Sequence, residues 1–237
     1  GHVDMWFDEN GKTVVNHIPS FVVRAVPYDV PVVGHDTKVT NTLRLWDAEI
    51  AEDFVKSADL SDYINQVKEI TRNVYPDDST EHGKKLRLKQ EYFFVCAGIN
   101  QIIRRHLRSY PNLDNLHEKI AIQLNDTHPV LCVPELMRVL LDDFGYDWDQ
   151  AWYITKNTIA YTNHTVMAEA LEKWPISYLE KVVPHLLPII RDLDARVRRD
   201  YHDERVYIID RDERVHMAHI DIHYGYAVNG VAALHTE

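Results

Sequence analysis

The spacing of apolar and polar residues changes twice along this chain of 237 residues, and the changes divide it into three parts. Residues 1–46 contain short apolar runs separated by turn residues, which predicts mainly β structure. Residues 47–118 place apolar residues at helical spacing, and residues 119–237 alternate strand-like runs with helical ones. Alternation of that kind predicts an α/β fold, with a parallel or mixed sheet and flanking helices.

Individual elements follow from the same patterns. The stripe of Tyr92, Val95, Ile99 and Ile102 predicts one buried face of a helix over residues 84–110. The predicted strands are 2–7, 12–16, 21–26, 37–46, 119–124, 158–161, 206–209 and 214–222. Further predicted helices are 131–144, 148–157, 169–171, 176–183, 187–199 and 227–235.

Single residues mark the ends of several elements. Pro27 and Pro31 lack a backbone N–H and predict a break in the β region. Ser61 predicts the N-cap of the first helix, because its hydroxyl can accept from an unpaired N–H of the first turn. Gly145 predicts a helix C-cap, and Asp147 predicts the start of the next helix.

Two short polar runs follow two of the predicted strands, at residues 125–129 and 162–165. Because ligands of open α/β sheets bind beyond the carboxyl ends of the strands, both runs are expected to line one polar pocket. A pocket with many fixed donors and acceptors suits a hydroxyl-rich ligand, which means a sugar. A purely structural alternative is that Asp126 and Thr127 cap a helix that begins at Pro129.

Asp126, His128 and His164 are the strongest candidates for a chemical role in that pocket. A neutral imidazole donates to one sugar hydroxyl while it accepts from a neighbouring one. A carboxylate orients such an imidazole or accepts from the sugar itself. The three side chains together therefore predict recognition of a sugar through hydrogen bonds.

Charge and composition argue against several other classes of function. The formal net charge is −11 and the pI about 5.7, so no basic field exists to bind nucleic acid or an anionic membrane. No apolar run approaches the roughly 18 residues that a membrane helix needs. The sequence has no glycine-rich phosphate loop, which argues against a self-contained nucleotide enzyme. Cys96 and Cys132 stand in apolar helical contexts, which predicts buried thiols in a reducing, cytoplasmic compartment.

A group of histidines raises the alternative of a metal-dependent enzyme. On a helix, His216, His219 and His223 would share one face. The predicted strand 214–222 instead places His216 and His219 on opposite faces, and the sequence has no His-Glu-x-x-His pattern. We therefore expect no metal at these residues.

Both ends of the sequence lack the polar character of natural termini. The chain begins without Met inside a strand-like pattern, and it stops inside a helical one. We expect it to be a piece of a longer protein.

Five blocks of sequence resemble the α-glucan phosphorylases, the family of glycogen, starch and maltodextrin phosphorylases. They occur in the family's order, at residues 41–46, 86–93, 123–129, 160–165 and 227–231. The resemblance implies that residues 1–237 are a single segment of the N-terminal, Rossmann-like domain of a two-domain, GT-B-type glycosyltransferase. Such an enzyme transfers the terminal α-1,4-glucosyl unit of a glucan to inorganic phosphate and releases glucose 1-phosphate with retention.

The resemblance also implies a cofactor and partners. The cofactor is pyridoxal 5′-phosphate, bound by a lysine of a C-terminal domain that this chain does not contain. The partners are an α-1,4-glucan, inorganic phosphate and the rest of the parent chain, and family members are commonly homodimers.

Individual residues receive roles from the same resemblance. His164 corresponds to the family's histidine beside the reacting glucosyl unit, and Asp126 to an acid that lines the same pocket, so both are predicted catalytic residues. Asp78 lies in a stretch, 76–83, that resembles the family's mobile gate over the catalytic cleft. The predicted substrate-binding residues are His128, Thr165, Asp78, Glu172, Val228 and Asn229.

Two stretches depart from the family pattern. Ser79 and Thr80 replace the Asn-Phe of the regulated animal enzymes, so an inhibitory gate of that kind is not expected. Residues 223–226 replace a small-residue run that ends in Ser-His, and this departure is expected to alter the local wall of the pocket. Arg104 and Arg105 fall where regulated enzymes hold a nucleotide phosphate, but a solvated helix face is the simpler interpretation, and we predict no nucleotide control.

The sequence leaves two main hypotheses open. In the first, the chain is a phosphorylase segment that binds the glucosyl unit and is inactive alone. In the second, it is a non-catalytic glucan-binding or interaction domain that keeps the fold without the cofactor domain.

Overall fold

The computed structural model describes residues 1–9, 11, 13–54 and 60–233. Its strands are β1 (His2–Phe7), β2 (Thr13–Ile18), β3 (Val23–Val33), β4 (Thr40–Ile50), β5 (Ile122–Asn125), β6 (Ile159–Asn163), β7 (Lys173–Pro175), β8 (Arg214–His216) and β9 (Val228–Gly230). Its helices are α1 (Leu60–Arg72), α2 (Glu81–His106), α3 (Leu116–Lys119), α4 (Cys132–Arg138), α5 (Trp148–Thr158), α6 (Ile176–Val182), α7 (Leu187–Asp200) and α8 (Met217–Tyr224). None of the described helices is both long and apolar enough to cross a membrane.

The chain forms two compact units, and α2 passes from one to the other. The first unit consists of Gly1–Ile18 and Gly98–Glu237, and the second of Pro19–Ala97. The second unit contains the antiparallel β3–β4 ribbon, α1 and the amino-terminal part of α2, and the first contains the other strands and helices.

A small apolar core joins the ribbon to the helices within the second unit. Tyr63 of α1 donates its hydroxyl to the Val22 carbonyl at 2.8 Å and accepts from the Ala51 N–H at 3.0 Å, which fixes α1 to both strands. The core residues are Ala48, Tyr63, Val67, Ile70 and Phe93, with Phe21, Val23, Ala25, Trp46, Ile50 and Phe94 packed against them.

Two sequence predictions for this unit are wrong. β3 continues through Pro27 and Pro31, where a break is predicted. The described ribbon pairs β3 with β4 alone, so alternate N–H groups of β3 face away from the ladder and a proline there removes no ladder hydrogen bond. Leu60 already belongs to α1, so Ser61 lies inside the helix and is not its N-cap.

The first unit is built on a parallel sheet with the strand order β5-β6-β9. Leu124 of β5 pairs with Tyr161 of β6, and Tyr161 pairs with Val228 of β9. This sheet and its helices confirm the mixed α/β fold that the sequence predicts. Fully buried side chains of the unit include Leu131, Leu136, Met137, Leu140, Ile159, Leu179, Leu186 and Ile190.

The helix ends that the sequence predicts between α4 and α5 are confirmed. α4 continues as a π-helical turn over Val139–Asp143, and Gly145 follows with a φ of 71°, in the left-handed region. Asp147 caps α5, because its carboxylate accepts from the Gln150 N–H at 2.8 Å while the Gln150 side chain accepts from the Asp147 N–H.

The segment before β9 differs from the sequence prediction. β8 ends at His216, and the residues after it form α8 in place of most of the predicted strand 214–222. Buried residues of α8 recur at helical spacing, at Met217, Ala218, Ile220, Asp221 and Tyr224. The prediction failed because the alternating Ile220 and Ile222 imitate the period of a strand.

Two other predicted elements of this region are also wrong. A 3-10 turn over Glu204–Val206 occupies the start of the predicted strand 206–209. β9 forms where a helix over residues 227–235 is predicted, and residues 234 and 235 lie outside the described part of the chain. The extended conformation of β9 is fixed by its pairing with β6, which local sequence does not reveal.

Candidate active site

The carboxyl ends of β5 and β6 bring the two polar runs of the sequence together. Asn125, the last residue of β5, pairs with Thr162 of β6. The Asp126 N–H donates to the Thr162 carbonyl at 2.9 Å, so the pairing continues one residue beyond β5. The two polar runs therefore lie side by side at the edge of the sheet where α/β proteins bind ligands.

Asp126 ties the two runs to each other. Its backbone φ is 65°, in the left-handed region that Asp tolerates better than most residues. Its Oδ1 accepts from the Thr127 N–H at 2.7 Å, and its Oδ2 accepts from the Thr165 hydroxyl at 3.3 Å. The residue is half-buried, so part of it is open to a ligand.

An asparagine turn shapes the loop that carries His164. The Asn163 Oδ1 accepts from the Thr165 N–H at 3.0 Å and from the Tyr161 hydroxyl at 3.1 Å. The Asn163 Nδ2 donates to the Thr165 carbonyl at 3.0 Å. These bonds bracket His164, which is exposed, so its imidazole is accessible to a ligand.

Glu172 reaches the first polar run from the segment before β7. Its Oε2 accepts from the Thr127 hydroxyl at 2.9 Å, and its Oε1 accepts from the Trp174 indole N–H at 2.5 Å. The Oε2 atom also lies 3.8 Å from Nδ1 of His128, whose side chain is about half exposed. Because Thr127 and Trp174 are buried, the carboxylate sits mostly inside the protein.

Val228 and Asn229 lie on the edge strand of the same sheet, and both are exposed. Val228 pairs with Tyr161, and Asn229 pairs with Thr162. The Thr162 hydroxyl donates to the Asn229 Oδ1 at 3.0 Å and accepts from the Gln123 Nε2 at 2.7 Å. Asn229 is therefore one end of a row of polar groups that crosses all three strands.

The tyrosine beneath the site remains protonated at neutral pH. Burial raises the pKa of the Tyr161 hydroxyl, and the negative charges of Asp126 and Glu172 add to the effect. Tyr161 therefore stays a hydrogen-bond donor to Asn163, and the turn that brackets His164 keeps its shape.

The two cysteines are Cys96 and Cys132. Cys132 begins α4 and is buried, and burial raises the pKa of its thiol, which keeps it protonated and unreactive. Cys96 is half-buried within α2.

The departure from the family pattern at residues 223–226 lies at the opposite edge of the sheet. The Tyr226 N–H donates to the carbonyl of Ile159, the first residue of β6, at 2.7 Å. Asn163 ends the same strand about 13 Å away, because four residues separate it from Ile159 and each adds about 3.3 Å. The departing residues are therefore distant from His164, but they lead into β9, where Val228 follows Tyr226 by two positions. The expectation that this departure alters the pocket wall stays a prediction.

Asp78 belongs to the second unit, in the loop before α2. Its carboxylate lies 3.9 Å from the Arg87 guanidinium, and its side chain is 60% exposed. Thr80 caps α2, because its hydroxyl accepts from the Gly83 N–H at 3.0 Å. The neighbouring Asp77 accepts from the Ser79 N–H at 3.0 Å, so the stretch that resembles a gate carries its own hydrogen bonds.

The three late histidines face the segment between α7 and β8. His216 bonds the Asp210 carboxylate at 2.9 Å, and its ring stacks on His219 with centroids 4.6 Å apart. His219 bonds the Tyr207 carbonyl at 2.6 Å, and burial lowers the pKa of its ring. His223 bonds the Val206 carbonyl at 2.8 Å. The expectation that His216 and His219 point to opposite faces is wrong, since α8 starts between them, but each ring is engaged in packing the loop.

Several residues that shape the site escaped the sequence reasoning. Asn163 had a signal, because Asn forms turns through its own side chain. The inward hydroxyl of Thr127 had none, because its contact with Glu172 depends on how residues 45 positions apart along the chain are brought together. Trp174 is only two positions from Glu172, but no motif marks their contact.

The polar site does not suit the cofactor that the sequence resemblance implies. It offers carboxylate, amide, hydroxyl and imidazole groups, and the contacts described for it include no lysine. Pyridoxal phosphate, which binds through a lysine Schiff base, has no attachment point among these residues.

Fold and site together define a mixed α/β protein with a hydrogen-bonding site at the carboxyl ends of a parallel sheet. Comparison with known families makes this specific. The family model described as carbohydrate phosphorylase matches residues 1–237, and the chain belongs to that family.

Individual relatives show the same relationship. The chain is 47% identical to maltodextrin phosphorylase of Streptococcus pneumoniae, over 98% of this chain and 31% of the relative. It is 40% identical to glycogen phosphorylase of Bacillus subtilis, over 97% of this chain and 30% of the relative. It is 44% identical to the brain form of human glycogen phosphorylase, over 94% of this chain and 30% of the relative. The chain thus spans about 30% of the length of the curated relatives it matches.

Proposed function

We propose that this chain is the glucosyl-binding part of an α-1,4-glucan phosphorylase. Residues 1–237 are a single segment of the N-terminal Rossmann-like domain of a GT-B-type enzyme. The whole protein transfers the terminal glucosyl unit of a glucan to inorganic phosphate and forms glucose 1-phosphate. The observation that carries the proposal is the meeting of two Asn/Asp/Thr/His runs at one sheet edge, in a chain that belongs to the carbohydrate phosphorylase family.

The site residues act by binding and orienting the sugar. The exposed imidazole of His164 bonds a hydroxyl of the reacting glucosyl unit, and Asp126 and His128 bond or orient neighbouring groups. These fixed dipoles stabilise the positive charge that develops on the sugar in the transition state. Thr165 and Asn229 contribute further polar contacts.

Three other proposed contacts complete the substrate-binding set. Val228 offers an apolar surface at the edge of the sheet, and Glu172 lies against His128. Asp78, in the second unit, is proposed to contact substrate from the loop before α2.

The rest of the parent protein supplies what this chain lacks. Pyridoxal phosphate, when bound there, supplies a phosphate group that exchanges a proton with the substrate phosphate. The parent is proposed to be a cytoplasmic homodimer, and this segment is proposed to be inactive alone.

The test is release of glucose 1-phosphate from maltodextrin and phosphate by the full-length product of the gene, loaded with pyridoxal phosphate. His164→Ala should lower kcat/KM about 100-fold, as loss of a transition-state contact typically does. His202→Ala, in an exposed loop after α7, is the matched control and should leave the rate unchanged.

Each outcome separates the two hypotheses. Release that depends on His164 supports the phosphorylase. A folded, cofactor-loaded protein that binds maltodextrin and releases nothing would favour the non-catalytic glucan-binding domain.

A further inference from the structure

Glu172 has a carboxylate whose two oxygens are both engaged inside the protein. Oε1 accepts from the indole of Trp174, which is 6% exposed, and Oε2 accepts from the hydroxyl of Thr127, which is 3% exposed. Hydrogen bonds to an ionised acceptor are stronger than neutral ones. The carboxylate therefore has a fixed position in the absence of any ligand.

The backbone of Glu172 is fixed as well. Its carbonyl accepts from the Met217 N–H at 3.2 Å, and the next residue begins β7, which pairs with β8. The carboxylate thus extends from a hydrogen-bonded residue next to a paired strand, which is a more rigid base than a free loop.

Thr127 is the link between this base and the site. It stands between Asp126 and His128 in the chain, and its side chain is buried while Asp126 is half-buried and His128 exposed. Its hydroxyl bond to Glu172 restrains residue 127, and Asp126 and His128 are joined to that residue through the peptide units on either side.

We infer that Glu172 is a positioning residue: through Thr127 it holds Asp126 and His128 in the orientation in which they meet the sugar. This role adds to the place that Glu172 has in the proposed substrate-binding set. The inference rests on the proposed function, because it concerns the orientation of groups within the proposed glucosyl site.

The test compares variants of the full-length, cofactor-loaded protein. Thr127→Val keeps the shape of the side chain and removes the hydroxyl, and it should lower kcat/KM for maltodextrin about tenfold. Thr127→Ser keeps the hydroxyl and should restore most of the activity. KM for phosphate should not change in either variant, because phosphate is held by the rest of the protein.

A second substitution shows whether the effect passes through Glu172. Trp174→Phe removes the other hydrogen bond to the carboxylate and should also lower kcat/KM for maltodextrin, by a few-fold. If both act through Glu172, the double variant should lose less than the product of the two single losses. Melting temperatures of all variants separate this effect from a loss of folded protein.

The inference fails on its own if wild type is active and Thr127→Val keeps its kcat/KM for maltodextrin, or if the two losses multiply independently. An inactive wild type would instead overturn the proposed function. If Thr127→Val does not fold, the other two variants test the inference. Trp174→Phe must then lower kcat/KM for maltodextrin without changing KM for phosphate, and Thr127→Ser must keep most of the activity.

Discussion

Asp221 is a buried carboxyl group in α8, and neither of its oxygens has a hydrogen-bond partner among the described residues. Burial raises its pKa well above the ordinary value of 3.8, because an ion without partners is unfavourable inside a protein. Above about pH 4 the unfolded chain is ionised at this residue while the folded chain keeps the proton. The free energy of unfolding therefore falls as the pH rises, until the folded pKa is reached.

Asp221→Asn tests this argument, because the amide has nearly the same size as the protonated acid and does not titrate. One proton changes the free energy of unfolding by about 1.4 kcal/mol per pH unit. The variant should gain stability over wild type with about that slope from pH 5 upward. Urea unfolding at a series of pH values, followed by tryptophan fluorescence, measures the difference, and other titrating groups cancel in it.

An exposed acid on α7 provides the control for this slope. A hydrogen bond from Arg199 lowers the pKa of Asp200, so this acid is ionised in both folded and unfolded chains above about pH 5. Asp200→Asn should therefore show no slope in that range. A difference between Asp221→Asn and wild type that is flat, or that shrinks as the pH rises, would refute the reasoning.

Two further pairs of substitutions test the backbone, one pair in α2 and one at Asp126. Gly83→Ala should destabilise the start of α2, because its Cβ would lie 1.8 Å from the Asp77 carbonyl oxygen. Gly98→Ala in the same helix meets open space and should raise the free energy of unfolding by up to about 1 kcal/mol. Thermal unfolding compares the two variants, and equal melting temperatures would contradict the clash. Asp126→Ala should be less stable than Asp126→Asn by about 1 kcal/mol, because Asn tolerates the left-handed φ of 65° better than Ala. Urea unfolding measures the difference. A more stable Ala variant would show that the backbone at residue 126 is not strained.

Local sequence determined the elements whose limits depend on local chemistry. Asp147 and Gly145 mark helix ends through hydrogen bonds and backbone angles formed within a few residues. The neighbourhood of the two polar runs also followed from sequence, because both come after strand-like segments and parallel strands end at one edge.

Several of the failed predictions depend on how a segment pairs or packs with the rest of the fold. Pro27 and Pro31 fit within β3 because its outward N–H groups need no partner. β9 is extended because it pairs with β6, more than 60 residues earlier in the chain. The hydrogen bond between Thr127 and Glu172 likewise forms only in the folded chain. The sequence therefore places both residues near the site without showing that they contact each other.

The residues that depart from the family pattern make packing contacts with α7 and with the loop before β8. Tyr224 is buried, and its hydroxyl donates to the Leu193 carbonyl of α7 at 2.8 Å, while His223 bonds the loop between α7 and β8. These contacts join α8 to α7 at the amino edge of the sheet, and His164 and Asp126 lie at the carboxyl edge. A parallel sheet separates its two edges by the length of its strands, so residues 223–226 lie far from His164 and Asp126. They lead directly into β9, however, which carries the exposed Val228 and Asn229. A loss of phosphorolysis caused by this departure would therefore have to act through β9.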